Sequence, residues 1–170
     1  MEKELVNEIE QTARQLFQVV GGFAEEEFNK QPFEGSWTPG QVVEHVALYA
    51  SGTLRTLEGK TAVTERDPGQ MVTPLRNAFL EFDSKMQSPE FIRPSDDPKN
   101  KASLIASLEA SFRGLARVAC SEDLHATCLG FSMPTVGNMT RLEWLSFVVV
   151  HTQRHIWQLK KMAVIAGVTK

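Results

Sequence analysis

The stretch T-R-L-E-W-L-S-F-V-V-V-H-T-Q-R-H-I-W-Q-L-K-K-M, residues 140–162, decides how this chain folds. Its centre, Ser146 to His151, is rich in β-branched and aromatic residues and reads as a strand by propensity alone. Its start argues otherwise. Thr140 fits a helix N-cap and Glu143 stands three residues on, the pairing in which each side chain satisfies the other's free backbone N–H. After Arg154 the polar residues recur at helical spacing, so the stretch is expected to be one helix. It is apolar on nearly every side until Arg154, which predicts a central helix or one at a subunit interface.

Working outward, a second stretch, S-W-T-P-G-Q-V-V-E-H-V-A-L-Y-A-S-G-T-L-R-T-L-E-G (36–59), repeats that signature. Thr38 fits the N-cap, Pro39 the first helical position and Gln41 the reciprocal partner, with Gly59 as the stop. A first helix is expected from about Glu4 to Phe23, carrying Leu5, Ile9, Leu16, Val19 and Val20. A polar stretch with at most one helical turn follows it. A third helix is expected from about Lys99 to Cys120, with Leu104, Leu108, Phe112, Leu115 and Val118 on one face. Residues 60–98 hold most of the prolines and one amphipathic piece, Pro74 to Met86. So long a link suggests a crossover along a bundle. The expected fold is all-α, a four-helix bundle in a single domain over residues 1–170.

Composition narrows the function classes. The net charge is −3, without runs of Lys or Arg, which argues against nucleic acid and anionic membranes as partners. The charged start M-E-K-E-L-V-N-E-I-E is unlike a signal or transit peptide, and no apolar stretch approaches a membrane span, so the expected location is cytoplasmic. Cys120 and Cys128 are too few and too oddly spaced for a disulfide framework or zinc ribbon.

Two of the four histidines, His151 and His155, stand at i and i+4 in the final helix. They share a stripe with Trp144, Phe147, Val148, Gln158 and Met162, so both rings point toward the core. His45, on a stripe with Gln41, Leu48, Tyr49 and Gly52, is the candidate for a third corner. Three imidazoles with a vacant position would make a catalytic set of ligands, since structural zinc is closed by four protein ligands. A buried histidine is ordinarily a hydrogen-bonded core residue, and that reading stays open. Thr152 stands where a zincin protease has its Glu, which removes metallopeptidase chemistry. Gln41 and Gln158 are candidates to hydrogen-bond substrate or orient water, or else simple helix-end polar groups. Tyr49 is a further candidate helper, with core packing the alternative. Arg154 is expected to pair with a carboxylate such as Glu44, and Trp37, Trp144 and Trp157 to be packing residues. His125 is left out of the ligand set. Cys128 could line the mouth of a site, with no chemistry assigned to it.

The two capped stretches together resemble the DinB-like superfamily, also called DinB/YfiT-like or bacillithiol-transferase-like proteins. Residues 37–46 are similar to its W-[ST]-x-x-[EQ]-x-x-x-H-[LV] pattern, and residues 143–159 to its E-W-x6-H-x-x-R-H-x-x-Q-[LI] final helix. The resemblance implies an up-down-down-up bundle with the long crossover between the second and third helices. It implies a divalent metal ion on His45, His151 and His155, nickel or zinc foremost, with iron or manganese also accepted. It further implies a homodimer and a small-molecule substrate. The activity it points to is S-transfer from a low-molecular-weight thiol such as bacillithiol or mycothiol. Metal-dependent hydrolysis and non-catalytic binding or sensing are the alternatives. The segments 60–98 and 121–138 are expected to shape the mouth of the site.

Overall fold

A computed structural model describes residues 2–84 and 86–167, so the ends of the expected 1–170 domain and Lys85 lie outside the described residues. The four long helices are α1 (Glu2–Gly22), α3 (Pro39–Leu57), α5 (Lys101–Ser121) and α6 (Arg141–Ile165). Two shorter helices, α2 (Glu25–Phe28) and α4 (Val72–Leu80), lie in the connections. The two-residue strands β1 (Thr61–Ala62) and β2 (Thr127–Cys128) pair antiparallel, Thr61 opposite Cys128. Both predicted capping boxes form. Thr38 and Thr140 accept the backbone N–H of Gln41 and Glu143, whose side chains accept the N–H of the threonine in return. The cap thus overrides the strand propensity of S-F-V-V-V-H, because it fixes the helical register before the β-branched run begins.

Tertiary contacts set the helix directions. Arg141, at the start of α6, donates to the Leu57 carbonyl at the end of α3 (2.9 Å), so these two run antiparallel. Lys99 pairs with Glu44 near the start of α3, and Arg117 with Glu58 past its end, so α3 and α5 run parallel. Lys101 donates to the Phe23 carbonyl just beyond α1, which makes α1 and α5 antiparallel. The order is up-down-down-up. Because α3 and α5 are parallel neighbours, residues 58–100 must return along the full length of the bundle, which explains the long connection.

That connection is tied down at several points. In it, α4 bridges α1 and α6: Arg76 pairs with Glu8, and the Phe79 ring meets Phe147 edge-on at 4.6 Å. Covered by α1, α3 and α4, the first half of α6 is buried on almost all sides, from Glu143 to Thr152. It is the central helix within this one chain.

Some local expectations differ. The amphipathic piece in the connection is helical over Val72–Leu80 rather than Pro74 to Met86. α5 begins two residues later than expected, capped by Asn100, because Lys99 is pulled inward to Glu44 and is 8% exposed. That pairing also leaves Glu44 unavailable to Arg154. Arg154 donates instead to the backbone carbonyls of Phe79, Glu81 and Ser84 and so clamps the end of α4 onto α6.

The start of α3 approaches its neighbours too closely for a side chain at Gly40. A Cβ there would lie 3.0 Å from the Phe28 carbonyl and 3.0 Å from the Lys99 side chain. Gly40→Ala is therefore expected to cost about 1–3 kcal/mol by overpacking, despite alanine's better helix propensity. Denaturant unfolding would show it; a stabilised variant would mean that α2 moves aside freely.

Candidate metal centre

His45 lies two turns into α3, and His151 and His155 lie on successive turns of α6. The antiparallel packing of the two helices brings the three rings together. His45 Nε2 is 3.2 Å from His151 Nε2, and His155 Nε2 is 3.3 Å from the same atom. Their ligand atoms all lie within 4.8 Å of one another, and among the described residues no other group of His, Cys, Asp or Glu gathers this way. His45 and His151 are buried and His155 is nearly so.

The outer partners of the rings decide which nitrogens carry protons. His45 Nδ1 faces the Ile92 carbonyl at 2.8 Å, with the Ser88 hydroxyl at 3.4 Å. A carbonyl only accepts, so Nδ1 holds the proton and Nε2 presents a lone pair. His155 Nδ1 faces Gln158 Oε1 at 2.8 Å, and the same reasoning leaves its Nε2 a lone pair, with the amide oriented by this contact. Two lone pairs thus converge on the third Nε2. A proton on His151 Nε2 could serve only one of them well, and His151 Nδ1 is buried without a hydrogen-bond partner.

A cation suits this donor set better than hydrogen bonds do. Tetrahedral coordination at about 2.0–2.1 Å requires nitrogens roughly 3.3 Å apart, which matches both short separations. The Ile92 carbonyl and Gln158 are the outer acceptors that metal-binding histidines ordinarily have. Sequence reasoning reached the three clustered histidines but not Ile92, whose carbonyl is presented by a 3₁₀ turn, Glu90–Ile92, with no side-chain signal.

All three rings are held neutral. Burial lowers the pKa of His45, partly offset by the Ile92 hydrogen bond. Burial, then the neighbouring imidazoles and Arg154, take His151 well below its ordinary value. His155 falls to about 3, chiefly by burial and then by His45. Metal binding requires deprotonated ligands, so the set is ready near neutral pH. In metal-free protein, lowered folded-state values mean that the unfolded chain binds more protons below about pH 6.5. Stability is then fully present above pH 6.5 and is lost as pH falls toward the folded-state value, about 3 for His155. The slope should reach about 1.4 kcal/mol per pH unit for each such histidine. Chelator-treated protein should unfold in less denaturant at pH 5 than at pH 7.5. Equal midpoints would show that the rings are not neutral in the fold.

The triad opens onto a cavity of about 1210 Å³. Its walls come from α3, α4 and α6, from residues 86–92 and from 130–134, so both long connections shape the mouth as expected. Phe79, Phe82, Phe91, Phe131 and Phe147 contribute much of the surface. Trp37, Trp144 and Trp157 also line it, beside the chiefly packing role expected of them. Tyr49 and Gln158 face the cavity; Gln41 does not. Gln41 spends its carbonyl on the Thr38 cap and its amide N–H on Ser95 and Asp96. His125 is exposed and outside the triad. Cys128 is fully buried and absent from the cavity wall, and burial pushes its thiol up to about 11, so it does not line the mouth.

Among the described lining residues there is no Asp or Glu, while Arg55, Arg154 and Lys161 are present. Among the described residues no helix is long and apolar enough to cross a membrane.

A sequence model of the DinB superfamily matches residues 8–159. Among solved structures, TT2238, described as a four-helix bundle protein, is 21% identical with a TM-score of 0.61, over 95% of this chain and 99% of that one. YfiT from Bacillus subtilis, described as a probable metal-dependent hydrolase with an unusual four-helix bundle topology, is 18% identical. It covers 98% of this chain and 87% of its own, with a TM-score of 0.60. No curated protein matches the chain significantly.

Proposed function

The chain belongs to the DinB superfamily, and from that membership and its imidazole triad we propose that it is a divalent-metal-dependent enzyme acting on a small molecule. The convergence of three Nε2 atoms beside a large cavity carries this reading. Zinc or nickel is favoured for a three-nitrogen set, with iron and manganese as further candidates. When bound, the ion would supply Lewis acidity and favour the anionic form of a thiol or water on its cavity side.

The chain's own residues do the rest. The Ile92 carbonyl and Gln158 fix the ring tautomers, and the aromatic walls give the site an apolar surround. Arg154, tied only to backbone carbonyls, leaves its charge to act on the site. Among the described lining residues no carboxylate is present to act as a general base. That favours a nucleophile that ionises easily, so the leading reaction is S-transfer from a low-molecular-weight thiol to a small electrophile. Hydrolysis is the second reading, suggested by the description of YfiT.

The test has two stages. Elemental analysis of protein purified without added metal should find close to one divalent ion per chain. A panel of thiols with alkylating electrophiles, and of simple esters, is then assayed with and without chelator. Chelator-sensitive thiol consumption supports transfer, and ester cleavage without thiol supports hydrolysis. Neither activity in any metal-loaded form would leave a binding protein.

A further inference from the structure

Glycine weakens the interior of a helix, so a glycine there calls for a reason. Two in the long helices have one in packing. A Cβ at Gly40 would press on the Phe28 carbonyl, and one at Gly114, in α5, would lie 2.5 Å from the Leu54 side chain. Gly52, inside α3, has no such neighbour. Apart from the helix backbone, a Cβ there would meet only Arg55 Nη2 within 4 Å, at an ordinary 3.7 Å, and its φ is not positive. What Gly52 faces is the cavity, whose wall it joins.

Helical register places it relative to the triad. Residue 52 follows residue 45 by two turns on the same face of α3, about 10 Å along the axis at 1.5 Å per residue. Leu48 and Tyr49 lie between them, and all four line the same cavity. The cavity therefore has an arm along α3, bare at Gly52.

Arg55 sets the charge at the far end of that arm. Helical side chains lean toward the N-terminus, and this guanidinium lies back beside the bare backbone of Gly52. The nearest acid along α3, Glu58, is paired with Arg117, and among the described residues Arg55 forms no ion pair. The described wall has no carboxylate to neutralise it. A cation at the end of an apolar channel attracts an anion, while Leu48 and the Tyr49 ring favour an apolar body.

We propose that Gly52 keeps this arm open for the body of the substrate, an amphiphilic anion with its reacting end at the triad, its apolar body along α3 and its negative group at Arg55. The reacting end rests on the metal-dependent reading above; the fit of body and charge to α3 does not.

All three tryptophans line the cavity, so their fluorescence reports its occupancy. The probe is octyl sulfonate, whose chain matches the arm and whose head group is a poor metal ligand. Butyl sulfonate is too short to fill the arm, and octyltrimethylammonium reverses the charge. Each is titrated into metal-loaded and chelator-treated protein, with metal content measured on the same samples. Octyl sulfonate is expected to bind saturably and roughly tenfold or more tighter than either control. Gly52→Leu, which fills the arm, and Arg55→Gln, which removes the charge, should each weaken it roughly tenfold or more in both metal forms. Gly52→Ala should unfold in no less denaturant than wild type, because the added methyl meets no packed atom and alanine favours the helix. A destabilised Gly52→Ala, full affinity in Gly52→Leu or Arg55→Gln, no saturable binding, or equal affinity for either control overturns the proposal. Metal content tests the enzyme reading separately. Protein that holds no metal yet shows both variant effects would sink that reading and leave this one standing.

Discussion

Replacing any one of His45, His151 and His155 with alanine is expected to abolish stoichiometric metal and the stabilisation that metal brings. The expectation rests on how the triad is held. Each outer ring has its far nitrogen spent on a fixed acceptor, Ile92 for His45 and Gln158 for His155, so neither can turn to replace a missing neighbour. His151 stands between them and shares a short separation with both. A ligand present at a thousand times its Kd stabilises a protein by about 4 kcal/mol. For a chain of this size that is a rise in Tm of roughly 8–16 °C. Wild-type protein should show such a rise with zinc or nickel, and the three alanine variants should show none. Gln158→Ala is graded between them. Loss of an outer hydrogen-bond partner ordinarily lowers metal affinity 10–100-fold, so its metal-dependent rise should shrink without vanishing. A full rise in His155→Ala would remove the triad from consideration as the metal centre.

The helices and the inward-facing histidines are legible in the sequence for one physical reason: both depend on local spacing. Thr38 with Gln41 and Thr140 with Glu143 are interactions across three residues, and they form as read. The inward face of His151 and His155 follows from helical periodicity. What sequence spacing does not carry is pairing across the fold. By sequence Arg154 is expected to pair with a carboxylate such as Glu44. The connection instead offers it three backbone carbonyls, and Lys99 takes Glu44. Tyr49 reads as a packing residue or a helper; only the assembled fold shows that its hydroxyl is buried with no hydrogen-bond partner. Ile92 gave no signal, since the group it contributes is one every residue has.

Glu143 illustrates the same limit and carries the second large effect. In sequence it is a capping residue; in the fold it is also a buried charge with three further tasks. Its carboxylate is fully buried and takes both Arg66 guanidinium nitrogens at 2.7 Å, together with the Met71 backbone N–H at 2.9 Å. It accepts the Thr140 N–H at 2.9 Å as well. Burial opposes its ionisation, but Arg66 and the two backbone donors outweigh that and hold its pKa below the ordinary carboxylate value. The contact therefore joins the start of α6 to the loop before α4, 72 residues away along the chain at Met71. Glu143→Ala strands the two backbone donors and the buried side of Arg66, and is expected to cost about 3–5 kcal/mol. That corresponds to a fall in Tm of roughly 6–20 °C. Glu143→Gln keeps an acceptor for the helix cap but loses the charge, so it should fall between wild type and alanine. Because α6 carries two of the ligands, loosening its start should also weaken metal binding, though less than loss of a histidine does. The sign with pH is fixed by the lowered pKa: the contribution is complete above the ordinary glutamate value of about 4.3 and disappears as pH falls through the folded-state value. A Glu143→Ala protein that unfolds within about 1 kcal/mol of wild type at neutral pH would mean that the pair is no tighter than a surface salt bridge. The loop and the central helix would then be joined by apolar packing alone.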